Sequence, residues 1–229
     1  MTDAAWPWIL GLISSSELEV QILPGVAVDG QRCLAQLQVT ERSALGGLAL
    51  NSGGLVVDHG WIRVLGGSVA NGNSMAEVNR FPSEPDINWT PQDGLVVGYD
   101  VLGGVFTLNG MHPESAGRPG SPGQILYFAP DTLEWDALPM THSQWLEWLL
   151  SGQTTQFYES LRWSGWEKES QSLTLAQGIS VYPFLWSAEA HADLAATSRR
   201  PVPFSELIHL TAEFTAQAAL SAPGFLGSY

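Results

Sequence analysis

Apolar and polar positions along the chain change period several times, and each change predicts a new element. Residues 4–14 form an apolar run of helical length, ended by Ser14, Ser15 and Ser16. Glu19 to Leu23 reads as a strand closed by Pro24 and Gly25. From Cys33 to Val39 the apolar residues alternate: Cys33, Ala35, Leu37 and Val39 share one side, Gln36 and Gln38 the other. That period of two predicts a half-buried strand. Ser43 is placed to cap a helix to Leu50, and Asn51-Ser52-Gly53-Gly54 suits a left-handed end. Leu55-Val56-Val57 and Trp61 to Leu65 flank the small polar trio Asp58-His59-Gly60, the pattern of a hairpin.

Gly66 to Asn73 reads as loop, and Ser74 with Glu77 has the spacing of a capping box. Residues 81–94 carry Pro82, Pro85, Pro91 and Gly94 and are predicted as loop. Leu95 to Val101, Val105 to Leu108 and Gln124 to Ala129 are predicted strands. The loop 110–123 between the last two holds three Pro and four Gly, which predicts an exposed, protease-sensitive segment. Thr141 opens a helix carrying Trp145, Leu146, Trp148, Leu149 and Leu150. A second helix spans about 155–163, and Gly165 to Arg200 reads as irregular. A last helix, Ser205 to Leu220, places Leu207, Ile208, Thr211, Phe214 and Ala218 on one face.

Composition narrows the function classes. Of 229 residues, 45% are hydrophobic and ten are Trp, enough for a substantial core. Acids outnumber bases 23 to 9, for a net charge of −14. Such a surface repels a nucleic-acid backbone and attracts a basic protein. The lone Cys33 excludes an intramolecular disulfide and a multi-cysteine metal site, and a buried inert thiol is the expectation. Five scattered His give no ligand spacing, so no metal and no cofactor are expected. His142, at a helix start, is expected to meet solvent. The first residues lack a basic region and no window holds eighteen apolar residues, so the expectation is a cytoplasmic protein without a membrane partner.

Nine residues carry the candidate chemistry. Asp58 and His59 have the types of an acid/base dyad, with Trp61 beside them as a stacking platform; a plain turn is the competing reading. Asp131 and Glu134, before Trp135, are paired carboxylates of the kind used on glycosides or metals; a capped turn competes. Arg162, Trp163 and Trp166 form a hot-spot or sugar platform if exposed, and a core plug if not. Ser52 lacks the G-x-S-x-G context, and Gly103-Gly104 lacks a following phosphate-binding helix; a bulge or close backbone approach is the alternative. No catalytic motif is present.

The segments Asn51 to Gly54, Asp100 to Leu108, Gly123 to Phe128 and Trp145 to Leu149 resemble the SUKH superfamily, the cell-wall-synthesis-regulator-like domain. Gly60 to Gly66, Gly103 to Gly110, Tyr127 to Trp135, and Phe157, Tyr158, Arg162, Trp163, Trp166 and Glu167 more closely resemble an uncharacterised bacterial domain of unknown function. The wider resemblance implies an α+β fold: one curved, mainly antiparallel sheet with helices packed against it. Residues 1–152 would hold this core, and residues 153–229 a helical or irregular C-terminal extension on the same domain. It also implies a non-enzymatic protein-binding module, immunity-like against a basic toxin. A carbohydrate-binding or glycoside-active protein, using Trp platforms and carboxylates, is the alternative.

Overall fold

Seven strands follow one another across a single sheet, each antiparallel to the next. They are β1 (Val20–Leu23), β2 (Gly54–Val57), β3 (Ile62–Leu65), β4 (Leu95–Asp100), β5 (Val105–Leu108), β6 (Ile125–Ala129) and β7 (Glu134–Leu138). The computed structural model describes residues 4–68, 72–91, 93–218 and 220–229. The predicted loop across 69–71 and the first three residues lie outside this set. The sheet is open, with β1 and β7 at its edges. Around it lie α1 (Ala5–Ser15), α2 (Ala27–Leu37), α3 (Ala44–Asn51), α4 (Met75–Val78), α5 (His142–Leu150), α6 (Thr154–Phe157), α7 (Trp166–Gln171), α8 (Ala188–Ala192) and α9 (Phe204–Gln217). β8 (Gln177–Tyr182) and β9 (Ser198–Pro203) form a separate hairpin. The fold is α+β.

Strand alternation sends side chains to two layers. One row across the ladder is Leu55, Val64, Gly98, Phe106 and Tyr127. It meets α5, where the Phe106 and Trp145 rings lie 5.2 Å apart. The other row is Gln21, Val56, Arg63, Tyr99 and Val105. It meets the C-terminal part of the chain: the Tyr99 ring is 4.5 Å from Phe204 and 5.2 Å from Tyr229. The Ile179 amide also donates to the Val101 carbonyl at 2.7 Å, tying β8 to the end of β4. Trp145, Leu146 and Leu149 are fully buried from one face of α5. Each contributes roughly 2–3 kcal/mol of transfer free energy.

Several elements differ from their sequence reading. Cys33 to Leu37 is helical, within α2, and Gln38 ends the helix in the left-handed region at φ 54°. The competing helical signal is Gly30, Cys33 and Gln36, all buried at i, i+3 spacing. A side chain at Gly30 would meet the Ala49 carbonyl at 2.7 Å, so the glycine lets α2 lie against α3. Cys33 is buried as expected, and burial pushes its thiol up to about 11. Ser52 ends α3 in extended conformation, with no left-handed cap. The predicted helix at 155–163 breaks into α6 and a 3-10 turn at Glu159–Leu161. The segment 165–200 is ordered into α7, β8, α8 and β9. Pro201 and Pro203 hid β9; they are tolerated because it pairs on one side only. The Pro/Gly loop is exposed over most of its length but anchored by buried Pro113 and Arg118, the latter donating to Phe225 O at 2.7 Å. The extra residue in β4 falls between Val96 and Gly98, not at Gly103-Gly104.

His142 is a further correction. The Thr141–Gln144 capping box forms, yet the ring of His142 is buried and neither nitrogen has a partner. Burial pushes its pKa down to about 4. The folded state therefore resists protonation, while the unfolded chain binds a proton near pH 6.5. Stability contributed by the neutral ring is complete above pH 6.5 and is lost as pH falls towards 4, by about 3 kcal/mol. His142→Leu is expected to remove this acid limb from urea-unfolding measurements made between pH 7 and 4. An unchanged limb would assign the proton uptake elsewhere.

Candidate functional site

The tip of the β2–β3 hairpin is built by residues that accept positive φ. Asp58, His59 and Gly60 lie at 56°, 56° and 83°, and the Trp61 amide donates back to the Asp58 carbonyl. The chain then drops Trp61 into the core. Its ring is fully buried, 5.7 Å from Tyr158, 5.8 Å from Trp163 and 5.1 Å from Trp166. Trp61 is thus no stacking platform, because the segment 158–166 covers it.

Asp58 and His59 do not form a dyad. Asp58 turns inward and accepts from Arg162 Nη2 at 2.5 Å, with the two side chains only 6% and 9% exposed. The Arg162 guanidinium lies 3.9 Å from the Trp166 centroid, 5.0 Å from Trp61 and 5.4 Å from Tyr158. Trp163 is buried and its Nε1 donates to Glu169. The Arg162-Trp163-Trp166 group is therefore a core plug. His59 turns outward, with Nδ1 2.9 Å from Glu19 Oε2 and its ring edge-on to Trp166 at 5.8 Å. Gln171 Nε2 donates to the same Glu19 oxygen at 3.0 Å. Gln171 Nε2 also lies 2.9 Å from His59 Nδ1, so the three side chains form one cluster. Glu19 and Gln171 carry no sequence signal for this, being 40 and 112 residues from His59.

The other three candidates lie at the far edge of the sheet. No capped helix follows Pro130; Leu133 closes a turn at φ 61° and Glu134 starts β7. Glu134 and Asp136 are exposed. Partial burial pushes the Asp136 pKa up, and the Asp131 and Glu134 charges add to it. Trp135 is half-buried, donates to Pro223 O at 2.9 Å and carries the Arg118 guanidinium 4.0 Å above its ring. His191 Nε2 lies 3.2 Å from the Asp131 carbonyl.

One polar centre was missed entirely. Asp100 is wholly buried and accepts from Tyr127 at 2.7 Å, Tyr158 at 3.1 Å, and the Leu102 and Gly104 amides at 2.9 and 3.0 Å. Desolvation pushes its pKa up, against the four hydrogen bonds. Desolvation also raises both tyrosines well above 10, so they remain donors. A Cβ on Gly104 would sit 2.0 Å from Asp100 Oδ2 and 2.4 Å from the Tyr127 hydroxyl, so this glycine is a close approach. The Asp-x-x-Gly-Gly turn was the only local hint.

Charge is segregated by depth. Arg63, Arg118, Arg162 and Arg199 each stack on a ring, at 5.7 Å from Tyr99, 4.0 Å from Trp135, 3.9 Å from Trp166 and 4.6 Å from Trp163. Exposed bases are Arg32, Arg42, Arg80, Lys168 and Arg200, against fifteen exposed acids among the described residues. The exposed excess of acids thus follows the 23 to 9 excess of the whole sequence. None of the ten Trp is in the exposed class, and no group of three or more potential metal ligands occurs among the described residues. No helix of the described residues is long and apolar enough to cross a membrane.

A protein family described as "Protein of unknown function DUF2625" matches residues 1–207. The uncharacterized protein YbfG of Escherichia coli strain K12 is 34% identical over 212 residues, covering 90% of this chain and 89% of its own. An uncharacterized protein of Haemophilus influenzae is 27% identical over 213 residues, covering 92% and 89%. No solved structure matches.

Proposed function

We propose that this chain, which belongs to the DUF2625 family of proteins of unknown function, is a non-enzymatic binding module that receives a basic protein on its acidic surface. The observation that carries the reading is the excess of exposed acids over exposed bases, fifteen to five among the described residues. The edge strand β7 is the docking face of choice. Asp131, Glu134 and Asp136 crowd there, and Asp136 is harder to ionise because of partial burial, with its neighbours' charges adding to the effect. A basic side chain would relieve that repulsion, and the unpaired edge offers backbone groups for strand addition. Neutralisation of a basic toxin, as the SUKH resemblance implies, is one form of this role. The sugar-platform alternative draws no such support, since Trp61 and Trp163 are sealed in the core.

The test is a pull-down from lysate at about 50 and about 500 mM salt, followed by binding kinetics on the captured protein. The expected result is a basic partner depleted at high salt. Its association should slow by on the order of tenfold when Asp131→Asn, Glu134→Gln and Asp136→Asn are combined. A partner that is not basic, or one indifferent to salt and to the triple variant, would overturn the proposal.

A further inference from the structure

A buried cation that makes no ion pair among the described residues lies on β3, away from the β7 edge. The segment linking α7 to β8 covers the outer face of β1, β2 and β3 and leaves a cleft of about 390 Å³. That volume suits a small ligand. Gln21, Val56, His59, Arg63, Ser170 and Thr174 are among its walls. Arg63 is buried, and its Nη1 donates to the carbonyls of Leu175 and Gln177. Among the described residues it makes no ion pair within 4 Å, as is also true of buried Arg118, whereas Arg162 has Asp58 and Arg199 has Glu169; the Asp100 charge acts on Arg63 from further away. Its Nε is sealed without a partner, and Nη2 makes no hydrogen bond to the described residues. Ser170 Oγ, on a residue 1% exposed, is also without a partner.

A buried guanidinium is costly unless an anion faces it. Backbone carbonyls satisfy one of its nitrogens and supply no formal charge. A carboxylate matches the planar guanidinium and its charge. A doubly charged phosphate fits less well, because Glu19 lines the same cleft and the chain carries −14 overall.

We propose that this cleft binds a small monocarboxylate, held by Arg63 Nη2 and by the Ser170 hydroxyl after rotation about its Cα–Cβ bond. His59, already tied to Glu19, lies at the cleft as a positioning group and not as a second anion receptor.

The experiment is a titration of the ¹⁵N-labelled full chain with sodium acetate, followed by NMR at constant ionic strength, with sodium chloride and sodium phosphate as parallel arms. The expected result is a saturable shift of the Arg63 Nε–H and of the amides from Ser170 to Thr174 with acetate, below about 50 mM, and none with chloride. Ser170→Ala should weaken the acetate response several-fold with an otherwise unchanged spectrum. Arg63→Lys should abolish it, and the spectrum reports whether that variant folds; should it not fold, the wild-type and Ser170→Ala titrations decide. No saturable acetate shift, a stronger response to phosphate, or an unchanged response in Ser170→Ala would overturn the proposal. None of these outcomes bears on the β7 edge, which lies at the opposite side of the sheet.

Discussion

Asp100→Ala should be the most damaging single substitution in this protein. It removes the acceptor of four buried donors: the Tyr127 and Tyr158 hydroxyls and the Leu102 and Gly104 amides. Each buried donor left unsatisfied costs about 1–3 kcal/mol. A domain of this kind has roughly 5–15 kcal/mol in total. The expected outcome is a protein unfolded, or nearly so, in the absence of denaturant. Asp100→Asn keeps the shape and one carbonyl oxygen but aims an amide donor at other donors, so it should lose less than Ala. Gly104→Ala tests the same centre from outside, since its methyl would overlap Asp100 and Tyr127. Urea midpoints of the three variants give the answer. A loss below about 1 kcal/mol for Asp100→Ala would show that the tyrosines find other partners.

Arg162→Met should rank second. It leaves the Asp58 carboxylate buried without its cation and strips a stacked group from Trp61, Tyr158 and Trp166. Breaking one partner of a buried pair typically costs about 3–5 kcal/mol. Replacing both, as Asp58→Asn with Arg162→Met, should cost less than Arg162→Met alone, because no uncompensated charge remains. Arg162→Lys should not rescue fully, since an ammonium cannot stack flat on Trp166 at 3.9 Å. Chemical denaturation of the four proteins in a double-mutant cycle measures the coupling. Additive losses would mean that Asp58 and Arg162 stabilise the hairpin independently.

The two centres meet at Tyr158, which bonds Asp100 and lies beside Arg162. Through it the hairpin tip, β4 and the segment after α6 form one buried assembly. That explains why six of the nine residues singled out on sequence, Asp58, His59, Trp61, Arg162, Trp163 and Trp166, gather in one place. Their types marked them as unusual. Their spacing said nothing of whether Arg162 would face Asp58 or solvent, since 104 residues separate the pair.

Local physics was legible wherever one element carries its own signal. The capping boxes at Ser74 and Thr141 form because the interacting groups sit three residues apart. The Asp58-His59-Gly60 turn forms because these residues tolerate positive φ. The β4, β5 and β6 strands follow from continuous apolar runs. Only the tertiary structure decided the rest. Alternation from Cys33 to Val39 lost to a helix because Gly30 lets α2 lie against α3. The β8–β9 hairpin forms where Ile179 bonds the Val101 carbonyl and α9, which follows it, brings Phe204 against Tyr99. The burial of His142, Asp100, Arg63 and Arg118 depends on side chains arriving from distant segments. The free energy of a buried polar group is set by those arrivals and not by its sequence neighbours.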